Sequence, residues 1–218
     1  MMQKQLAILL CAFALSVPLC AALIPLLKKL GAGQNILGYV KEHEKKGGTP
    51  TMGGLAFLFA AAAVALAAYG FRDKPFLVAL AVGMGYLAVG FLDDFLKKKR
   101  ARNLGLTPWQ KIAFQGAVAV IASLYCCLNG LTEVYIPFTR LRFDIGWWMF
   151  PLAALVLIAT VNSVNLTDGL DGLAGSVGAF YFLAFGVLLI LQGGSDSLSG
   201  LCFSLTGAIA GFLVFNTN

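Results

Sequence analysis

Asp93 and Asp94 are adjacent carboxylates closing a long apolar run, and Asp168 and Asp171 form a second acidic pair, three residues apart, in an Asn/Asp/Gly-rich stretch that also holds Asn165. Carboxylates so placed can accept a proton, attack as nucleophiles or bind a hard divalent cation. Two of them about 4 Å apart repel by about 4 kcal/mol at an effective dielectric near 20. A helix C-terminus disfavours them further. A divalent cation with neighbouring lysines would favour the 93/94 pair; the competing reading is a polar helix end solvated beside Lys97 to Arg100. If a helix has already begun by Asp168, the i, i+3 spacing puts Asp168 and Asp171 on one face. Glycines at 169, 172 and 175 would then let backbone or ligand approach closely. The competing reading here is a turn with Asp168 as a helix cap.

Lys46 and Lys111 each lie beside an expected helix start, where unpaired backbone N–H groups and a partial positive charge suit a phosphate. Thr107, Pro108 and Gln110 spell a capping box with proline at the first helical position. Thr49-Pro50 repeats the cap-then-proline pattern more weakly, without an amide or acid at the third position. His43, the only histidine, reads as a solvated loop side chain, and Lys97 to Arg102 as a topogenic basic run facing lipid headgroups.

The elements that must position these residues are membrane helices. Of the 218 residues, 59% are hydrophobic and 12% charged, with a mean hydropathy of +0.84, whereas soluble domains carry about 25% charged residues. Apolar runs long enough to cross a bilayer recur at Gln5 to Leu27, Gly53 to Gly70, Pro75 to Leu92, Trp109 to Leu128, Trp148 to Val164, Gly172 to Gln192 and Leu198 to Phe215. Seven spans are expected, all in one integral membrane domain. The first ends in Lys28-Lys29 rather than a cleavage site, so it reads as a retained span.

Between these spans the basic residues divide unevenly. Lys28, Lys29, Lys41, Lys45, Lys46, Lys97, Lys98, Lys99, Arg100, Arg102 and Lys111 fall on one side, against Lys4, Arg72, Lys74, Arg140 and Arg142 on the other. The first side is therefore expected in the cytoplasm. The net charge of +6 follows from that topology, and no nucleic-acid module accompanies it. The five cysteines all lie in apolar spans without metal or redox spacing. Leu131 to Ile145 reads as a short irregular β-hairpin on the outer side, followed by Trp147 and Trp148 as interface anchors.

Four strings on the cytoplasmic side, GTPTMGG at 48–54, GFLDD at 90–94, GLTPWQK at 105–111 and NLTDGLDGLAG at 165–175, resemble in order and spacing the phospho-N-acetylmuramoyl-pentapeptide transferases. Those enzymes sit within the polyprenyl-phosphate N-acetylhexosamine-1-phosphate transferases. The similarity runs from about residue 28 to the last residue. It implies an all-α polytopic helix bundle in the bacterial inner membrane, with its active site on the cytoplasmic face. It also implies Mg²⁺-dependent transfer of phospho-N-acetylmuramoyl-pentapeptide from UDP-N-acetylmuramoyl-pentapeptide to undecaprenyl phosphate, giving lipid I and UMP for peptidoglycan synthesis.

By the same resemblance Asp93, Asp94 and Asp168 are catalytic, Asp93 as base or nucleophile and Asp94 by the metal and phosphates, with Asp94 and Asp168 as metal candidates. Lys46, Thr49, Lys111, Asn165, Asp171 and Asn216 are implied substrate-binding residues, and a homodimer is the family expectation. The family pattern continues past Asn218, through the principal Mg²⁺-binding aspartate and a histidine-bearing loop. About seven of ten spans are therefore expected here, and these residues alone are expected to be inactive. Two alternatives remain at this point. One is transfer of N-acetylglucosamine-1-phosphate to the same lipid. The other is a transporter or scaffold, whose usual broken mid-membrane helices are not evident.

Overall fold

A computed structural model describes residues 1–29, 53–99, 105–136, 139 and 141–216. Its architecture is the expected all-α membrane bundle. The helices are α1 (Met2–Lys29), α2 (Gly54–Tyr69), α3 (Lys74–Lys99), α4 (Pro108–Leu128), α5 (Met149–Thr167), α6 (Leu173–Leu191) and α7 (Asp196–Asn216). All but α2 are long and apolar enough to cross a membrane, so the chain is a multi-pass membrane protein. With 16 residues, α2 is about 24 Å long, shorter than the other helices. A hairpin pairs β1 (Glu133–Tyr135) with β2 (Arg142–Asp144), antiparallel and with Val134 opposite Phe143. A single 3₁₀ turn, Gly146–Trp148, then leads into α5.

The described residues divide into two compact units, Met1–Gly105 with Thr167–Asn218, and Leu106–Leu166. In the first, α7 is the enclosed centre, packed against α1, α2 and α6. Burial of apolar groups gains little when the surrounding solvent is lipid, so close packing and interhelical hydrogen bonds take its place. Small residues make that possible. Ala12, Ala60, Ala61 and Ala208 form a fully buried cluster. A Cβ on Gly207 would overlap the Leu9 carbonyl oxygen and stand 2.8 Å from its carbon. Ser16 donates to the Ala208 carbonyl at 2.7 Å and Ser204 to the Ala61 carbonyl at 2.7 Å.

At one end of this unit a polar cluster joins four helix ends. Lys4 pairs with Asp196 at 3.1 Å and lies 3.9 Å above the Tyr69 ring. Gln5, fully buried, donates to Asp196 Oδ1 at 2.8 Å and accepts from the Tyr69 hydroxyl at 3.1 Å. Ser197 donates to Asp73. Every hydrogen-bonding side-chain atom buried among the described residues has a partner, as a low-dielectric interior requires.

The second unit comprises α4, the hairpin and α5. Its α4 starts where the sequence predicts. Gln110 N donates to Thr107 Oγ1 at 3.3 Å, Thr107 N donates to Gln110 Oε1 at 3.1 Å, and Pro108 occupies the first position. A polar ladder ties α4 to α5: Asn162 Nδ2 donates to the buried Gln115 Oε1 at 2.8 Å and to the Ile158 carbonyl at 2.8 Å.

One expectation about a helix end needs correction, and one condition the sequence left open is decided. Helix α3 does not stop at Leu92 but runs on to Lys99, because Leu96 and the three lysines after it are good helix formers. Helix α6 has not begun by Asp168; it starts at Leu173, after Gly172 takes a left-handed φ of 76°. Asp168 and Asp171 therefore occupy the turn between α5 and α6 rather than one helical face, and Asp168 is not the cap of α6.

Candidate active site

Because α3 continues past the acidic pair, Asp93 and Asp94 lie in its penultimate turns and face a lysine of their own helix. Lys97 Nζ is 2.7 Å from Asp93 Oδ2 and 3.2 Å from Asp94 Oδ1, the i+4 and i+3 partners of one ammonium. Asp93 is buried, with 8% of its surface exposed, whereas Asp94 and Lys97 are only partly covered. The expected neighbouring lysine is thus identified. The competing reading, of a polar helix end solvated beside Lys97 to Arg100, fits the partly exposed Asp94 but not the buried Asp93. Lys97 belongs to the carboxylates rather than to a purely lipid-facing run, and its spacing from them in the sequence was the available signal.

Gly105 is the other close neighbour of Asp93. A Cβ built there would overlap Asp93 Oδ1, stand 2.9 Å from the Asp93 carbonyl oxygen and lie 3.0 Å from Cγ. Gly105 opens the GLTPWQK string at 105–111, but the residue pattern does not show its approach to Asp93.

Asp168 stands in the α5–α6 turn with its side chain open to solvent. Crowding by surrounding protein, then the negative charges of Asp171 and Asp94, raise its pKa above the ordinary carboxylate value. Asp94, Asp168 and Asp171 thus share one electrostatic neighbourhood within the first unit. Of the glycines beside them, Gly175 lets Leu213 of α7 pack closely, a Cβ there being 2.8 Å from Leu213 Cδ2, while Gly169 meets nothing within 4 Å. At the start of α2, a Cβ on Gly53 would come 2.7 Å from the Phe212 ring. These motif glycines bring α2 and α6 onto the end of α7, where Asn216 terminates the helix, half-buried.

In the second unit Lys111, in the first turn of α4, donates to Asn165 Oδ1 at 3.0 Å. Asn165 lies in the last turn of α5, two residues before its end, instead of in the loop with Asp168. The Gln115–Asn162 pair stands one step further along the same two helices, and sequence reasoning did not single it out. Lys46 and Thr49 lie outside the described residues.

Among the described residues no three His, Cys, Asp or Glu side chains converge as a self-sufficient metal centre. Mg²⁺ does not need one, because it commonly takes one or two carboxylates and fills the remaining positions with water and substrate phosphate oxygens. Asp94 and Asp168 are hard oxygen donors, and a cation would relieve the negative charges of Asp171 and Asp94 that, after crowding by protein, help raise the pKa of Asp168. The donor set fits such an ion.

Comparison with known proteins gives this geometry a context. Residues 76–218 match the glycosyl transferase family 4 model, and residues 46–58 match signature 1 of the phospho-N-acetylmuramoyl-pentapeptide transferases. The chain is 42% identical to the phospho-N-acetylmuramoyl-pentapeptide-transferase of Shouchella clausii, over 98% of this chain and 67% of the relative. The enzyme of the same name from Halalkalibacterium halodurans is 41% identical over 96% and 66%, and that of Bacillus thuringiensis is 39% identical over 95% and 65%. The chain therefore spans about two thirds of the length of these relatives. Two matching models, identities near 40% and the expected helix bundle agree, and the chain belongs to glycosyl transferase family 4, in its phospho-N-acetylmuramoyl-pentapeptide-transferase branch.

Proposed function

We propose that the protein acts in peptidoglycan synthesis, transferring phospho-N-acetylmuramoyl-pentapeptide from its uridine diphosphate carrier to undecaprenyl phosphate at the cytoplasmic membrane face. UMP leaves, and lipid I remains in the membrane. The observation that carries this reading is the buried, lysine-held Asp93 beside Asp94 and the charge-crowded Asp168.

Two anionic substrates must meet for the new pyrophosphate linkage to form as the one to UMP breaks, so repulsion between them is the first obstacle. Asp93 is the group suited to take the proton from the lipid phosphate or to act as nucleophile. Its ion pair with Lys97 holds the carboxylate in one orientation. Asp94 and Asp168 would hold Mg²⁺, which when bound neutralises charge on the diphosphate and on the departing UMP. Lys111, fixed by Asn165, presents a cation at the capped start of α4, where the helix N-terminus also favours phosphate. Asp171 and Asn216, with Lys46 and Thr49, complete the proposed substrate-binding set. The Lys and Arg asymmetry supports the cytoplasmic placement of all of them.

The test joins this chain to the C-terminal third of the Shouchella clausii relative and incubates the purified product with both substrates and Mg²⁺. Metal-dependent UMP release is expected. Asp93→Asn should lower it by at least about 10³-fold while donor binding stays within a few-fold. Release by Asp93→Asn close to that of the parent would remove Asp93 from both roles.

A further inference from the structure

We propose that Gly105 is a positioning residue: its backbone is the wall against which the Asp93 carboxylate is set, and no side chain can be carried there without displacing that carboxylate. The inference rests on the reading of Asp93 as the acting group, but its geometric part stands apart from it.

Asp93 is gripped from two directions. Oδ2 lies 2.7 Å from the Lys97 ammonium, one helical turn on. Oδ1 faces the main chain at Gly105, so closely that an added Cβ would overlap it and lie 3.0 Å from Cγ. The same Cβ would stand 2.9 Å from the Asp93 carbonyl oxygen, so the chain at 105 lies across both the side chain and the backbone of Asp93. This contact is particular to the position. Gly83 and Gly90 of the same α3, and Gly116 of α4, would each accept a Cβ with nothing within 4 Å.

The Asp93 backbone cannot retreat either, since it is held within α3. An alanine at 105 must therefore turn the Asp93 side chain away from its place beside Lys97 or move residue 105 itself away from α3. A displacement of about 1 Å at a reacting group costs on the order of 10²-fold in rate. Binding of a nucleotide held by other residues should change little. Only glycine leaves the carboxylate buried, ion-paired and immobile together.

Two measurements test this. In the extended protein described above, Gly105→Ala should lower kcat for UMP release by about 10- to 100-fold, with KM for the donor changed by less than about three-fold. Gly83→Ala should match the parent. A Gly105→Ala enzyme with kcat within three-fold of the parent would overturn the inference, as would an equal loss from Gly83→Ala. The second measurement is a thermal-melting cycle on the 218-residue chain in detergent and needs no activity. Gly105→Ala should lower the melting temperature by at least about 3 °C in the parent and by clearly less in an Asp93→Ala background, where the clashing carboxylate is gone. Equal losses in both backgrounds would show a backbone requirement unrelated to the carboxylate and end the proposal. If Asp93→Asn retains activity while the cycle shows coupling, the catalytic reading fails and the positioning contact survives.

Discussion

Asp168 carries the clearest electrostatic signature in the candidate site. Protein crowding and the Asp171 and Asp94 charges raise its pKa, so the folded protein binds a proton there more readily than the unfolded chain does. Its favourable contribution is fully present only below the ordinary carboxylate value of 3.8 and is lost as pH rises through the raised folded value. At neutral pH the ionised group is a burden that Asp168→Asn removes. Because the side chain is exposed, solvent screens the effect, and a gain of only about 1–2 °C in melting temperature is expected at pH 7.5. That gain should shrink toward pH 4, and saturating Mg²⁺ should reduce it by stabilising the parent. Melting curves of parent and variant at the two pH values check the sign; a gap that widens on acidification would contradict it. The same substitution should abolish UMP release in the extended protein, so stability and activity move in opposite directions.

Among the helices, α7 shows how a membrane bundle is held together where apolar burial counts for little. Its glycines sit under specific partners: Gly200 under the Tyr69 ring, Gly207 under the Leu9 carbonyl, Gly211 under Ser16 and the Phe13 carbonyl. Gly207→Ala cannot be absorbed by rotating a side chain, because the obstacle is the α1 backbone. Separating the two helices would also strain the Ser16 bond to the Ala208 carbonyl. A loss of about 1–3 kcal/mol is expected, the usual range for overpacking a close contact. Denaturant titration in mixed micelles would measure it, with Gly83→Ala, in open space, as the neutral reference. Helix α4 illustrates the complementary case. Its start was legible because Thr107, Pro108 and Gln110 are a local code whose partners lie three residues apart. Its ladder to α5 was not, since Gln115 and Asn162 are 47 residues apart and meet only once the helices pack.

For the whole chain, the decisive test is which ends of the helices face the cytosol. Within the first unit Lys4, Tyr69, Asp73 and Asp196 meet at one end. Asp93, Asp94 and Asp168 share the neighbourhood that their charges define. The proposed topology, resting on the Lys and Arg asymmetry, has these carboxylates facing the cytosol. With the native cysteines removed, single cysteines at positions 72 and 142 should react with an impermeant maleimide added from outside intact cells. One at position 168 should react only after permeabilisation. External labelling at 168 would invert the proposed topology and place the phosphate chemistry on the wrong side for a uridine nucleotide.

Composition and hydropathy by themselves determined that this is a helical membrane protein, because the transfer free energy of an apolar run depends on its residues and not on their neighbours. The ordered motifs likewise determined the family, and local capping chemistry determined where α4 begins. Three things waited for the tertiary structure. Helix α3 outruns its apolar stretch because its lysine-rich end is as helical as its core, and that extension is what brings Lys97 onto Asp93 and Asp94. The α5–α6 turn holds Asp168 and Asp171 because Gly172 adopts a left-handed conformation, a choice that a glycine permits but does not announce. Gly105 became part of the site only through its approach to Asp93, a contact between backbone and carboxylate 12 residues apart that no residue type encodes.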